Sequence, residues 1–197
     1  MVWSGVFLAG AVLVALFAPL EKTLGLNSRV VYFHGAWVWA AMITFVSAAL
    51  AGLAGLLTRR RILHVWSRGL GRSALSFWVL FLPMSLYVMQ ANWNGLFLDE
   101  PRFRLPLNFA IVGLLLQVGL SFFPLVWTSL ANLIFALTLI PGMQGIQTVL
   151  HPESPIFQSS APAIQAYFTL QVVLLLLAAI SLGRGWQGLQ NHSHKGV

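Results

Sequence analysis

Two histidines carry most of the chemistry that this chain of 197 residues can offer. His34 sits in "VVYFHGAWVW" (30–39), where apolar sequence takes over, and His151 sits in "TVLHPESP" (148–155). Neutral imidazole is a good ligand for iron, copper and zinc, and two histidines on neighbouring helices can hold haem iron as its axial ligands, whatever their separation in sequence. Tyr32, Phe33, Trp37, Trp39, Trp93 and Phe97 would supply aromatic walls, and Arg29, Arg102 or Arg104 could pair with propionates through two parallel hydrogen bonds. Histidine, tryptophan and tyrosine also gather at membrane interfaces because they are amphipathic, so an interfacial role without a ligand stands beside the haem expectation. Trp37 and Trp39, two residues apart, should point to different sides of a helix.

The elements that must position these residues are membrane helices. Hydrophobic residues make up 58% of the chain and charged residues only 8%, against roughly 25% charged in soluble domains. Six apolar runs, about 2–20, 35–57, 74–90, 107–123, 125–142 and 164–183, approach the length needed to cross a hydrocarbon layer of about 30 Å. The expected fold is therefore all-α: a six-helix membrane bundle over 1–183 with a short disordered tail, 184–197. The first run lacks the basic start and small-residue cleavage site of a signal peptide, which makes it a retained span. The third is the shortest and contains Pro83. The turn at Pro124 makes the fourth and fifth a tight antiparallel pair.

Charge sets the direction. The segment "TRRRILHVWSRGLGR" (58–72) holds five arginines and no acid, which assigns it to the cytoplasm by the positive-inside rule. Both termini then lie inside, in the inner (plasma) membrane, with seven basic residues inside and four outside (Lys22, Arg29, Arg102 and Arg104). His34, the loop "ANWNGLFLDEPRFRLP" (91–106) and the loop holding His151 all fall on the outer face; His64, His192 and His194 fall on the other. Asp99 and Glu100 read as solvated loop acids, and Trp93 with Phe97 as an apolar lid. Asn132 and Gln117, inside spans, should hydrogen-bond across helices, and the glycines and alanines between 48 and 55 make a surface for close helix packing.

The net charge of +7 needs no nucleic acid, because the chain has no polar domain to present a basic face. With no cysteine, disulfides and thiolate chemistry are excluded. There is no serine nucleophile elbow, phosphate loop or HExxH motif, so an enzyme is not expected. No charged residue lies deep in an apolar run, which counts against an ion-coupled transporter.

"VVYFHGAWVWAA" resembles the start of the second span in the CcmC/CcsA family, the haem-handling proteins of cytochrome c maturation, with its pattern close to Y-[FI]-H-[VP]-x-x-A-W. Tyr32, Phe33 and His34 match, and Trp37 comes one or two positions early. The family's outer loop, roughly W-G-x-[FY]-W-x-W-D-P-[KR], is similar to "WNGLFLDEPR", through Trp93, Gly95, Phe97, Asp99, Pro101 and Arg102. His151 stands where the family has a second histidine. The loop here keeps one tryptophan of three, and Gly35 replaces the expected proline. The resemblance implies haem, with haem b the expected form, held at the outer face between His34 and His151 with Trp37, Trp93, Phe97 and Arg102 around it. It implies lipid, other membrane subunits or haem-accepting proteins as partners. Two other classes stay open: a haem-b subunit of a respiratory or photosynthetic complex, and a structural membrane subunit without a cofactor.

Overall fold

Each apolar run folds as a helix. The computed structural model describes residues 2–146, 156–157 and 159–193, with side chains through Gln187. Its helices are α1 (Val2–Leu16), α2 (Asn27–Thr58), α3 (Arg61–Trp93), α4 (Pro101–Gly119), α5 (Leu125–Gln144) and α6 (Pro162–Ser193). A short 3-10 turn, Leu120–Phe122, closes α4, and no strand occurs among the described residues. His151 and His194 lie outside the described residues, as do Glu153 and Pro155.

Five helices, α2 to α6, are long and apolar enough to cross a membrane, which makes the chain an all-α, multi-pass bundle. The first expected span is shorter than its apolar run. With 15 residues, α1 is about 22 Å long, less than a hydrocarbon core of about 30 Å. Pro19 explains the early stop, because the residue before a proline is pushed out of the helical region. The third run departs in the other direction. It belongs to the longest helix, α3, with 33 residues. The arginine segment is thus no open loop: Arg59 turns the chain in the left-handed region at φ 57°, Arg60 is extended, and α3 starts at Arg61. Arginine is a good helix former, so the helix continues beyond its apolar part.

α2 and α3 form a long antiparallel hairpin at the centre. Its register is fixed at three levels: His64 packs beside Gly55, the Trp37 indole N–H donates to the Phe77 carbonyl at 2.8 Å, and the Asn27 amide donates to the Ala91 carbonyl at 2.9 Å. α5 and α6 flank both hairpin helices, α4 lies on α3 and α5, and α1 packs chiefly on α6. The core is aromatic and alanine: Phe45, Phe77, Trp78, Phe81, Phe135 and Phe168 cluster with Ala36, Ala40, Ala41 and Ala74. Leu115 and Leu137 on the outside are about two-thirds exposed, as lipid contact requires. The C-terminal segment also differs from expectation: α6 runs on to Ser193, past the expected boundary at 183. It is held on α3 by Gly183 beside the Gly69 backbone and by the Arg184 guanidinium over the Trp66 ring, 5.6 Å from its centroid.

Candidate functional site

The His34 site is built on α2, two turns in from its start at Asn27. The imidazole packs on the Phe81 ring of α3, with centroids 5.8 Å apart. Phe81 meets Trp78 edge-on at 4.8 Å, and the Trp78 indole N–H donates to the Pro106 carbonyl of α4 at 3.0 Å. An aromatic chain therefore runs from His34 through α3 to α4, ending one turn after Arg102. Trp37 belongs to the hairpin itself. It is 8% exposed and stacked on Phe77 at 4.6 Å, so its faces are taken by protein. Trp39, two residues on, is 44% exposed, and its ring meets the Phe157 edge at 5.8 Å. The two tryptophans do point to different sides.

Gly35, next to His34, lets α6 approach. A Cβ there would lie 3.3 Å from the Phe168 ring and 3.9 Å from Ile156 Cδ1. A proline ring or any larger side chain would push Phe168 away, which accounts for glycine at this position. Ile156 and Phe157, at the end of the 145–161 connection, thus come beside Gly35 and Trp39 respectively.

Trp93, Phe97 and Arg102 stand on the α3–α4 connection. Asn94 ends α3 in the left-handed region at φ 53°, and Pro101 opens α4 at a position that tolerates proline. Phe97 folds back over Gly95 and remains 40% exposed. Trp93 follows Phe81 by twelve residues on α3, so it lies about 18 Å farther along the helix than the His34 contact. The structure thus brings His34 to the level of early α4, with Arg102 one turn from Pro106, and sets Trp93 farther out.

Arg29, Arg102 and Arg104, at this end of the bundle, have different roles. The Arg29 Nε donates to the Ala18 carbonyl at 3.1 Å, and Arg104 meets Asp99 at 3.5 Å in an exposed pair. The Arg102 Nε is buried and has no hydrogen-bond partner among the described residues. The acid pair also splits: Asp99 is solvated, whereas Glu100 is 7% exposed with its Oε1 buried and without a partner among the described residues. Its position just before α4, where the backbone carbonyl receives the N–H groups of Phe103 and Arg104, turns the side chain inward.

The opposite end of the bundle holds a polar network. His64 Nδ1 and Ser129 Oγ share a hydrogen bond at 2.7 Å. The Asn132 amide N–H donates to the Ser67 carbonyl at 2.9 Å, and its Oδ1 accepts from Gln117 Nε2 at 2.7 Å, which bears out the inter-helix role expected of both amides. Arg68 donates to the Leu120 and Phe123 carbonyls and to Thr128 Oγ1, all at 3.0–3.2 Å. This guanidinium, 9% exposed, caps carbonyls of the tight α4–α5 turn, at a helix end whose dipole favours a cation. Gly52 and Gly55 admit the network: a Cβ at Gly52 would sit 2.9 Å from the Ser129 carbonyl oxygen, and one at Gly55 would sit 3.0 Å from the His64 ring.

Neither a protein-family model nor a curated protein matches this chain.

Proposed function

We propose that this chain is a membrane haem-binding protein of the kind found in cytochrome c maturation, holding haem b at the outer face with His34 as its fixed axial ligand and His151 as the second. The observation that carries the reading is the seat of Ile156 beside Gly35. His151 precedes Ile156 by five residues, a length of chain that reaches at most about 18 Å, so the second histidine is tethered within reach of the first. The donor set suits the cofactor: imidazole for iron, and at Arg102 a buried guanidinium nitrogen without a partner among the described residues, suited to a propionate. Bound haem would supply one-electron chemistry or serve as cargo. The chain would supply the ligands, an apolar wall at Phe81, and an outer cover from Trp93 and Phe97. Trp37 acts one step removed, by fixing α2 on α3 at the level of His34. In this reading all six helices cross the plasma membrane, both ends are cytoplasmic, and a haem-accepting protein or another membrane subunit meets the outer face.

The test is an absorption spectrum of the purified full chain, oxidised and reduced. The wild type should show a sharp reduced α-band, His34→Ala should lose haem, and His151→Ala should retain five-coordinate haem. A wild-type protein that stays colourless with added haem, or a spectrum unchanged in the double variant, overturns the assignment; the first outcome favours a structural subunit.

A further inference from the structure

Arg72 has no counter-charge among the described residues. It lies twelve residues beyond Arg60 on α3, on the flank where α4 and α6 stand on either side of α3 without touching each other. The three helices leave a groove of about 540 Å³ between them, with Arg72, Gln117, Ser121 and Trp186 in its lining. The guanidinium sits over the Trp186 ring, 5.7 Å from its centroid, and makes no ion pair among the described residues. Glu21, Asp99 and Glu100, the acids among the described residues, all lie at the other end of the bundle.

Two further polar groups in the same lining are unsatisfied. Trp186 Nε1 and Gln117 Oε1 are buried without a hydrogen-bond partner among the described residues. Each such group costs free energy in apolar surroundings unless something fills its need. The rest of the groove is apolar, with Leu80, Leu114 and Val118 on its outer walls and each of them half-exposed. The arrangement is therefore amphipathic: a cation, an N–H donor and an amide oxygen at one end, and an alkyl channel running from them toward the bundle's middle.

We infer that this groove is a binding site for one anionic phospholipid of the leaflet at the arginine end. Its phosphate would lie on Arg72 and the Trp186 N–H, its glycerol region near Gln117 and Ser121, and one acyl chain along Leu80, Leu114 and Val118. The volume lies within the range of ligand sites, and basic pockets between membrane helices on the cytoplasmic side recognise acidic head groups. The guanidinium fits phosphate because its planar donors match two oxygens. A zwitterionic lipid carries a cation of its own and matches the site less well.

Native mass spectrometry of the full chain, released from detergent containing phosphatidylglycerol, phosphatidylcholine or inorganic phosphate, tests this. The wild type should retain a single phosphatidylglycerol in preference to phosphatidylcholine, and inorganic phosphate should not displace it. Arg72→Gln should lower that retention about fivefold, while Arg60→Gln, at the exposed turn, should leave it unchanged. Leu114→Trp fills the channel without altering charge and should also expel the lipid, so the result does not depend on the folding of one variant. Equal retention of phosphatidylcholine, equal loss in Arg60→Gln, or full retention in Leu114→Trp overturns the site. So does a lipid-free dimer that Leu114→Trp dissolves, which would make a second copy the occupant.

Discussion

At the scale of single residues, glycines and amides decide how closely these helices approach. Gly52 faces the Ser129 carbonyl and Ser67 Oγ, both 2.9 Å from where a Cβ would sit, whereas Gly5 has nothing within 4 Å. Gly52→Ala must displace backbone on α5, and overpacking of this kind costs about 1–3 kcal/mol. Gly5→Ala should be neutral or stabilising by up to about 1 kcal/mol through helix propensity. Thermal unfolding of the two variants in detergent should therefore move in opposite directions or leave only Gly52→Ala displaced; equal shifts would refute the close approach. Asn132→Ala removes the link among α3, α4 and α5 and leaves Gln117 Nε2 without its acceptor. Membrane hydrogen bonds average about 0.6 kcal/mol with a maximum near 1.7, so a loss in that range is expected in a reversible unfolding titration. Both amides and the small-residue surface were legible from sequence, because polar and tiny side chains inside apolar runs have few other uses. Their partners were not: Ser67 and Ser129 are ordinary residues until the hairpin register and the packing of α5 set them opposite Gly52, and His64 read as part of an open loop.

At the scale of elements, the connections are as built as the helices. The turn before α2 is closed by the Glu21 carboxylate, which accepts the N–H groups of Thr23 and Leu24, each at 2.8 Å, while Gly25 at φ +55° completes it. The Leu24 N–H bond, with the neighbouring backbone donors, holds the Glu21 carboxyl below its ordinary value of 4.5. A carboxylate with a depressed pKa contributes stability above the unfolded value and loses it as pH falls through the folded one. The turn should therefore be intact at neutral pH and weaken only below about 4.5, and protection of the Thr23 and Leu24 amides, relative to their intrinsic exchange rates, should fall there. Glu21→Gln should make that protection low and flat across the same range; an acid-dependent fall that persists in Glu21→Gln would assign it to another group. Element ends were the least legible feature. Hydropathy marks where side chains prefer lipid, and α3 begins well before its apolar part because arginine and leucine sustain a helix as readily in an interface. Pro19 shortens α1 for the opposite reason, within sequence that remains apolar.

At the scale of the whole molecule, one end of the bundle is basic and polar and the other carries His34, Arg102 and the described acids, Glu21, Asp99 and Glu100. Membrane class and helix content follow from composition alone, since backbone in hydrocarbon must satisfy its own hydrogen bonds. The site was only partly legible. Types and order placed His34, Trp93, Phe97 and Arg102 at one end, but not the aromatic chain through Phe81 and Trp78, nor the commitment of Trp37 to Phe77, because hairpin register is set by contacts distant in sequence. The direction of the bundle rests on charge. α1 and α6 run antiparallel, with the Ser4 hydroxyl donating to the Ala178 carbonyl at 3.0 Å and Gly10 beside Leu174. If α1 crosses with the rest, its start lies at the arginine end. The chain has no cysteine, so single reporters need no background removed. Trp3→Cys and Arg59→Cys should react with a membrane-impermeant maleimide only after the cytoplasmic side is opened, and Leu96→Cys should react in intact cells. Labelling of Arg59→Cys from outside would invert the bundle and move His34 to the cytoplasmic face. Labelling of Trp3→Cys from outside, with Arg59→Cys still protected, would leave five crossings and make α1 a helix that rests on α6 without spanning.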